Sequence, residues 1–80
     1  MVKVAKLELF GTASCPFTRE MEEWLEFQGR EFESYDIDAD PPARARLRAL
    51  AGAQRMVPVL VEDGKVVQVG WQGRGCPILD

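Results

Sequence analysis

The chain has 80 residues, 46% of them hydrophobic and 29% charged, which is typical of one small globular domain, placed here over residues 1–80. The net charge of −3 argues against a nucleic-acid surface, and the absence of histidine excludes Cys–His dyads and histidine-ligated metals. No apolar stretch approaches the roughly 20 residues that cross a bilayer, and residues 1–7 lack the apolar segment of a secretory signal. We therefore expect a cytoplasmic protein that binds neither nucleic acid nor membrane.

Strand and helix patterns alternate along the chain. Apolar runs and alternations predict strands, whereas apolar residues three and four positions apart, with caps at the ends, predict helices. The Asp63-Gly64 pair predicts a hairpin turn, and the glycine-rich residues 70–77 predict a loop. In chain order the predicted elements are a strand at residues 2–10, a helix at 16–28, a strand at 32–38, a helix at 41–51 and strands at 57–61 and 65–69.

Each predicted helix has one apolar and one charged face. The residues of the first helix expected to face the core are Phe17, Met21, Trp24, Leu25 and Gln28. Those of the second helix are Leu47 and Leu50, and its arginines, Arg44, Arg46 and Arg48, are expected on a solvated surface. The order βαβαββ predicts an α/β fold with a four-stranded mixed sheet flanked by helices.

Cys15 lies where the first apolar strand ends and the first helix begins. A thiol there lies among unpaired backbone N–H groups at the positive end of the helix dipole. Both favour the thiolate, which is the nucleophilic form of cysteine. Pro16 fits the first helical position, where a missing N–H has no cost. The residues therefore predict a reactive thiol, with a buried structural cysteine as the alternative.

Three features resemble the glutaredoxins, small proteins of the thioredoxin-like fold. Cys15-Pro16-Phe17-Thr18 resembles their Cys-Pro-Tyr/Phe-Cys motif with the second cysteine replaced, and Met56-Val57-Pro58 is placed like their Thr-Val-Pro, whose proline is cis. The third feature is the Asp63-Gly64 hairpin followed by Val69-Gly70. Trp71-Gln72-Gly73 resembles the NrdH redoxins, and the Pro-Phe-Thr after Cys15 is similar to the Uxx-star (seleno)proteins. The resemblance places the third helix of the family near Pro77, and we expect that helix to be missing or minimal here.

The resemblance implies a thiol–disulfide oxidoreductase with Cys15 as its nucleophile. Thr18 stands at the usual second cysteine and is expected either to donate a hydrogen bond to the Cys15 thiolate or to be an ordinary helix residue. Cys76 is the candidate that resolves the mixed disulfide, or a tail cysteine without a role. The residues expected to shape the substrate groove are Pro16, Phe17, Val57, Pro58, Gly70 and Trp71.

Two departures from the family concern glutathione. Thr12 stands where glutaredoxins place a lysine that contacts glutathione, and Gly70-Trp71-Gln72 replaces their double glycine and aspartate. Glutathione is therefore one possible co-substrate, and a reductant of the thioredoxin-reductase type is the other. Oxidised protein disulfides are the expected substrates. We expect a monomer with no bound cofactor or metal.

Two further functions stay open from the sequence. One is a non-catalytic module, in which the groove beside Pro58 binds a peptide and Cys15 is only a contact. The other is an iron–sulfur or metal carrier that uses Cys15 and glutathione. Pro16 argues against the carrier, because cluster-bridging members of the family have glycine at that position.

Overall fold

The computed structural model describes residues 6–52 and 56–78. The predicted start of the first strand, residues 2–5, lies outside the described residues. In chain order the described elements are β1 Leu7–Gly11, α1 Pro16–Phe27, β2 Glu33–Asp36, α2 Pro41–Ala51, β3 Met56–Val57, β4 Val59–Glu62, β5 Lys65–Val69 and β6 Cys76–Pro77.

The mixed four-stranded sheet is confirmed, with the strand order β2-β1-β4-β5. β1 pairs in parallel with β2 and antiparallel with β4, and β5 closes the sheet against β4. The parallel pair is joined through α1, as a strand–helix–strand unit requires. All five residues of β1 are buried, because this strand has neighbours on both sides and a helix over each face.

The two helices cover opposite faces of the sheet. Successive side chains on a strand point to opposite sides, so the strands contribute residues to the core under each helix. The face under α1 holds Leu7, Leu9, Met21, Leu25 and Leu60. The face under α2 holds Phe10, Cys15, Ile37, Ala43, Leu47, Val57, Val59 and Val61. The prediction that Gln28 faces the core was wrong: it is the exposed C-cap of α1, just beyond the last helical turn.

The predicted strand at residues 57–61 is broken into β3 and β4 at Pro58, whose peptide bond to Val57 is cis, as the resemblance implies. The prediction of a loop at residues 70–77 was wrong for Cys76 and Pro77, which form β6 and pair antiparallel with β3. A turn at residues 71–74 separates β5, which pairs with β4, from β6, which pairs with β3. Before that turn, the Gly70 N–H donates to the Pro58 carbonyl at 2.7 Å and holds the end of β5 to the break between β3 and β4.

Trp71 covers part of the sheet face under α1. Its ring lies 5.4 Å from the ring of Trp24, measured between centroids, and it packs against the core cluster of that face. The described residues, 6–52 and 56–78, contain no α-helix besides α1 and α2 that could cover this surface. The Trp71 side chain, which lies on a turn, covers it instead and keeps apolar surface from water.

Arg46 is exposed, as expected for this surface of α2, and it also binds a buried carboxylate of the sheet. Both of its terminal nitrogens donate to the Glu8 carboxylate, at 2.7 and 3.0 Å, and its guanidinium lies over the rings of Phe10 and Tyr35. Glu8 is buried on β1 and also accepts from the Tyr35 hydroxyl at 3.2 Å. A buried carboxylate needs such partners, which a helical charge pattern alone does not show.

This arrangement shifts three pKa values, and the hydrogen bond to Glu8 raises that of Arg46. The Arg46 hydrogen bonds lower the pKa of Glu8, and burial opposes that shift. The hydrogen bond from Tyr35 to the Glu33 carboxylate, together with burial and the bond to Glu8, raises the pKa of Tyr35 to about 12. The hydroxyl has one hydrogen, so its donation is divided between the Glu33 and Glu8 carboxylates.

Candidate active site

Cys15 is the N-cap residue of α1, with an extended backbone (φ −89°, ψ 115°), and Pro16 occupies the first helical position. The Cys15 N–H donates to the Thr12 carbonyl at 3.2 Å, which closes the turn between β1 and the helix. The Cys15 carbonyl accepts from Arg19 at 3.4 Å at the start of the helical bonds. The predicted position of the sulfur at a helix N-terminus is therefore the observed one.

Cys15 and Cys76 are joined in a disulfide, with their Cα atoms 6.0 Å apart. That separation is within the usual range for disulfides. Cys15 is only 2% exposed and belongs to the core cluster of the α2 face. Cys76 is partly exposed and packs against the edge of the same cluster. The geometry is compatible with Cys76 as the resolving thiol, and that role stays a prediction.

The backbone pairing between β3 and β6 brings Cys76 to Cys15. Cys76 stands opposite Val57 in this ladder, and Val57 lies in the core cluster that includes Cys15. Gly75 permits the close approach: a Cβ at this position would lie 2.7 Å from the Val57 carbonyl oxygen and 2.9 Å from the end of the Met56 side chain. Any larger residue at position 75 pushes the two strands apart.

Thr18 lies one helical turn beyond Cys15 and is buried, with 5% of its surface exposed. Among the described residues its hydroxyl has no hydrogen-bond partner. Its side chain packs against Gly11, where a Cβ would collide with it. A buried hydroxyl without a partner costs about 1–3 kcal/mol, so this group calls for a functional explanation.

The structure brings together some of the predicted groove residues but not all of them. Phe17 packs against the cluster that holds Cys15, and Pro16 is exposed beside it. Pro58 and Gly70 are both buried and linked by a hydrogen bond. Trp71 lies on the other face of the sheet, against Trp24, so packing is the role that the structure shows for it.

Sequence reasoning missed two residues of the site. In the sequence Gly75 is one of several glycines in a predicted loop, whereas in the structure it permits the β3–β6 contact. Met56 belongs to the motif before Pro58, and in the structure its side chain meets Gly75. The sequence signal for the pairing of β3 with β6 is a glycine next to a cysteine together with a separate apolar strand. This combination is too common in sequences to identify the pairing by itself.

A depression of about 440 Å³ lies beside the start of α1 and reaches Cys15. Its charged side chains are Arg19, Glu20 and Glu23, so two carboxylates and one guanidinium surround it. Within residues 6–52 and 56–78, no group of three or more His, Cys, Asp or Glu side chains is placed to hold a metal ion. Over the same residues, no helix is long and apolar enough to cross a membrane.

A mixed sheet between two helices, with a cysteine disulfide at the start of the first helix, defines a thioredoxin-like redox protein. The glutaredoxin family model matches residues 7–67, and the chain belongs to that family. A probable glutaredoxin of Synechocystis sp. is 35% identical over 63 residues, covering 79% of this chain and 72% of the relative. A second one is 37% identical over 60 residues, covering 74% of this chain and 55% of the relative.

Two solved structures agree with this assignment. The thioredoxin-like protein BC3987 superposes with a TM-score of 0.73 at 31% identity, covering 84% of this chain and 89% of its own. A glutaredoxin from Archaeoglobus fulgidus has a TM-score of 0.71 at 26% identity, covering 85% and 77%. Family and fold together support a thiol–disulfide oxidoreductase-like function. The narrower resemblance to the Uxx-star and NrdH groups stays a prediction.

Proposed function

We propose that this protein transfers electrons between thiols and disulfides through Cys15 and Cys76. The Cys15 thiolate attacks a substrate disulfide, forms a mixed disulfide and releases the first substrate thiol. The Cys76 thiolate then attacks the Cys15 sulfur, forms the internal disulfide and releases the second thiol. The substrate gains two electrons, and the two cysteines lose them. The observation that supports this cycle is the Cys15–Cys76 disulfide at the start of α1.

The position of Cys15 supports its role as the attacking group. The first-turn N–H groups of α1 are unpaired, and the positive end of the helix dipole lies at the sulfur, so the thiolate is favoured over the thiol. Cys76 lies on a two-residue strand and has no helix terminus of its own. The two cysteines therefore differ in reactivity, and Cys15 is the better nucleophile.

The orphaned hydroxyl of Thr18 supports a role for this residue in the reduced protein. In the disulfide form it has no partner among the described residues. When Cys15 becomes a thiolate, a strong acceptor forms one helical turn away, and the hydroxyl donates to it. The hydrogen bond stabilises the reduced protein, and the unpaired hydroxyl destabilises the oxidised one.

The partners follow from this chemistry. Oxidised protein disulfides are the proposed substrates, in the cytoplasm. An internal disulfide is reduced either by a dithiol reductant of the thioredoxin-reductase type or by two molecules of glutathione. The replacement of the family lysine by the buried Thr12, and the packing of Trp71 away from Cys15, favour the dithiol reductant. Glutathione stays the second proposed co-substrate.

Mass spectrometry after mild oxidation, with and without glutathione, tests the cycle. Wild-type protein is expected to lose two hydrogens and to carry no adduct. A Cys76→Ser variant is expected to hold one glutathione on Cys15. An adduct on wild-type Cys15 as well would replace Cys76 by glutathione as the resolving thiol. An unmodified Cys15 in both proteins would favour the non-catalytic binding module, and bound iron in the purified protein would favour the carrier.

A further inference from the structure

We infer that the reductant attacks Cys76, so that the two halves of the cycle use different sulfurs. The inference rests on the proposed function: the substrate disulfide is attacked by Cys15, and electrons return through Cys76. A thiol–disulfide exchange joins the attacking sulfur to one of the two sulfurs of the bond and expels the other as a thiolate. Two features of the structure select Cys76, namely access to the sulfur and the identity of the leaving group.

The two cysteines of the disulfide differ in their exposure to solvent. Cys15 is only 2% exposed and is enclosed by the core cluster that includes Phe10 and Val57. Cys76 is partly exposed, and the chain on both sides of it reaches the surface, since Arg74 and Pro77 are exposed. An external thiolate therefore meets Cys76 first. A thiolate that enters the depression beside α1 instead meets a cysteine that is only 2% exposed.

The leaving group points to the same sulfur. Attack on Cys76 expels the Cys15 thiolate, which the N-terminus of α1 stabilises. Attack on Cys15 would expel the Cys76 thiolate, which lies on β6 without that support. The thiol that is the more stable thiolate leaves faster, so the attack on Cys76 has the lower barrier.

Few backbone pairs hold β6 in place, so it can move to accept an adduct. It is held to β3 by two residue pairs, and Pro77 in one of them has no N–H to donate. The turn before it is anchored more firmly. Trp71 and Arg74 exchange backbone hydrogen bonds of 2.6 and 2.9 Å, and the Trp71 ring packs on Trp24. A bulky group on Cys76 is therefore accommodated by outward movement of the chain after Arg74, whereas Cys15 is fixed by the helix.

The electrons balance over two steps. The first reductant thiolate forms a mixed disulfide with Cys76 and releases the Cys15 thiolate. The second thiol, on the same dithiol reductant or on a second glutathione, attacks the reductant sulfur of that mixed disulfide and releases Cys76. The reductant becomes a disulfide, and both cysteines of the protein are reduced. Because Cys76 carries the reductant and Cys15 carries the substrate, each partner meets a different surface.

A trapping experiment tests which sulfur is attacked. Oxidised wild-type protein is mixed with a limiting amount of glutathione and an excess of iodoacetamide, which alkylates the released thiol and preserves the adduct. Samples quenched in acid are digested with trypsin and mapped by mass spectrometry, and the ratio of the two products is extrapolated to zero time. The same reaction in concentrated guanidinium chloride gives the ratio without the fold.

We expect glutathione on Cys76 and the alkyl group on Cys15, exceeding the reverse product by roughly tenfold or more in the folded protein. The ratio should fall toward one in guanidinium chloride. Glutathione on Cys15, with the alkyl group on Cys76, would overturn the inference and leave the redox cycle intact. A folded protein whose disulfide reacts with neither glutathione nor dithiothreitol, and which reduces no disulfide, would overturn the proposed function as well.

Discussion

The two cysteines of the disulfide, Cys15 and Cys76, belong to very different structural elements. Cys15 belongs to the first turn of a 12-residue helix and to the buried core. Cys76 belongs to a two-residue strand that is paired to another strand of the same length. The comparison supports the proposed division of labour, in which Cys15 on the helix receives the substrate and Cys76 on the short strand receives the reductant. Rigid elements position reacting groups, whereas segments with few contacts open at low cost.

The largest expected effect is loss of the Cys15 sulfur. Cys15→Ser should lower the rate of disulfide reduction by roughly a thousandfold or more, because the nucleophile is gone and Cys76 lacks the helix N-terminus. Cys76→Ser is the matched control, and with glutathione present it should retain part of the activity. The measurement is the reduction rate of a protein disulfide at fixed reductant. Equal loss in both variants would break the comparison.

Gly75→Ala should loosen the strand that carries the second sulfur. The new Cβ meets the Val57 carbonyl oxygen, so β6 shifts and the free energy of unfolding of the oxidised protein falls by about 1–3 kcal/mol. The product ratio in the trapping experiment should move toward attack on Cys15, because the core around Cys15 becomes less closed.

Gly64→Ala is the control for that variant. Gly64 has φ +82° in the hairpin turn, with no atom within 4 Å of an added Cβ. Its replacement should destabilise the backbone and leave the product ratio unchanged. Equal movement of the ratio in both variants would mean that general destabilisation, and not the contact between β6 and β3, sets access to the disulfide.

The Glu8–Arg46 pair joins α2 to β1, the strand that leads to Cys15. It should make the free energy of unfolding depend on pH in the acid range. The folded-state pKa of Glu8 is lowered, so the pair stabilises the fold fully above the ordinary value of 4.5. That stability is lost as pH falls through the lowered value. Arg46→Met removes the partner and leaves a buried carboxylate, which gains stability when it is protonated.

Urea unfolding of the oxidised wild type and of Arg46→Met at pH 7 and pH 3 measures this effect. The wild type should be the more stable at pH 7, and at pH 3 the difference between the two midpoints should shrink to roughly half or less. Arg19→Met is the control, because Arg19 is an exposed arginine on the other helix. A difference that is the same at both pH values would remove Glu8 as its cause.

The elements around Cys15 were predictable from the sequence, and those around Cys76 were not. Pro16 as a first-turn residue and the apolar spacing of α1 are local signals, so the helix start at Cys15 followed from them. The pairing of Cys76 with Val57 depends on a contact between residues far apart in the chain, and two-residue strands have no periodicity to read. The contact of Arg46 with Glu8 could not be predicted for the same reason, because the two residues lie 38 positions apart in the chain.

The smallest expected effect concerns the buried hydroxyl of Thr18, one helical turn beyond Cys15. Under the role proposed for Thr18, Thr18→Val removes a donor to the Cys15 thiolate in the reduced protein and an orphaned hydroxyl in the oxidised protein. Both changes favour the disulfide, so the reduction potential should become more negative. A hydrogen bond worth about 1 kcal/mol corresponds to a shift of about 20 mV for this two-electron couple. Equilibration with glutathione buffers of known potential measures it.

Thr18→Ser separates the hydroxyl from the methyl group. It keeps the donor and loses only packing against Gly11, so its potential should stay close to that of the wild type. The two variants should also differ in the rate at which reduced Cys15 is alkylated at neutral pH. Thr18→Val should react more slowly than Thr18→Ser, because less of the Cys15 thiol is ionised in it. A potential that moves equally for Val and Ser would assign the effect to packing, and Cys15 would then owe its reactivity to the helix N-terminus alone.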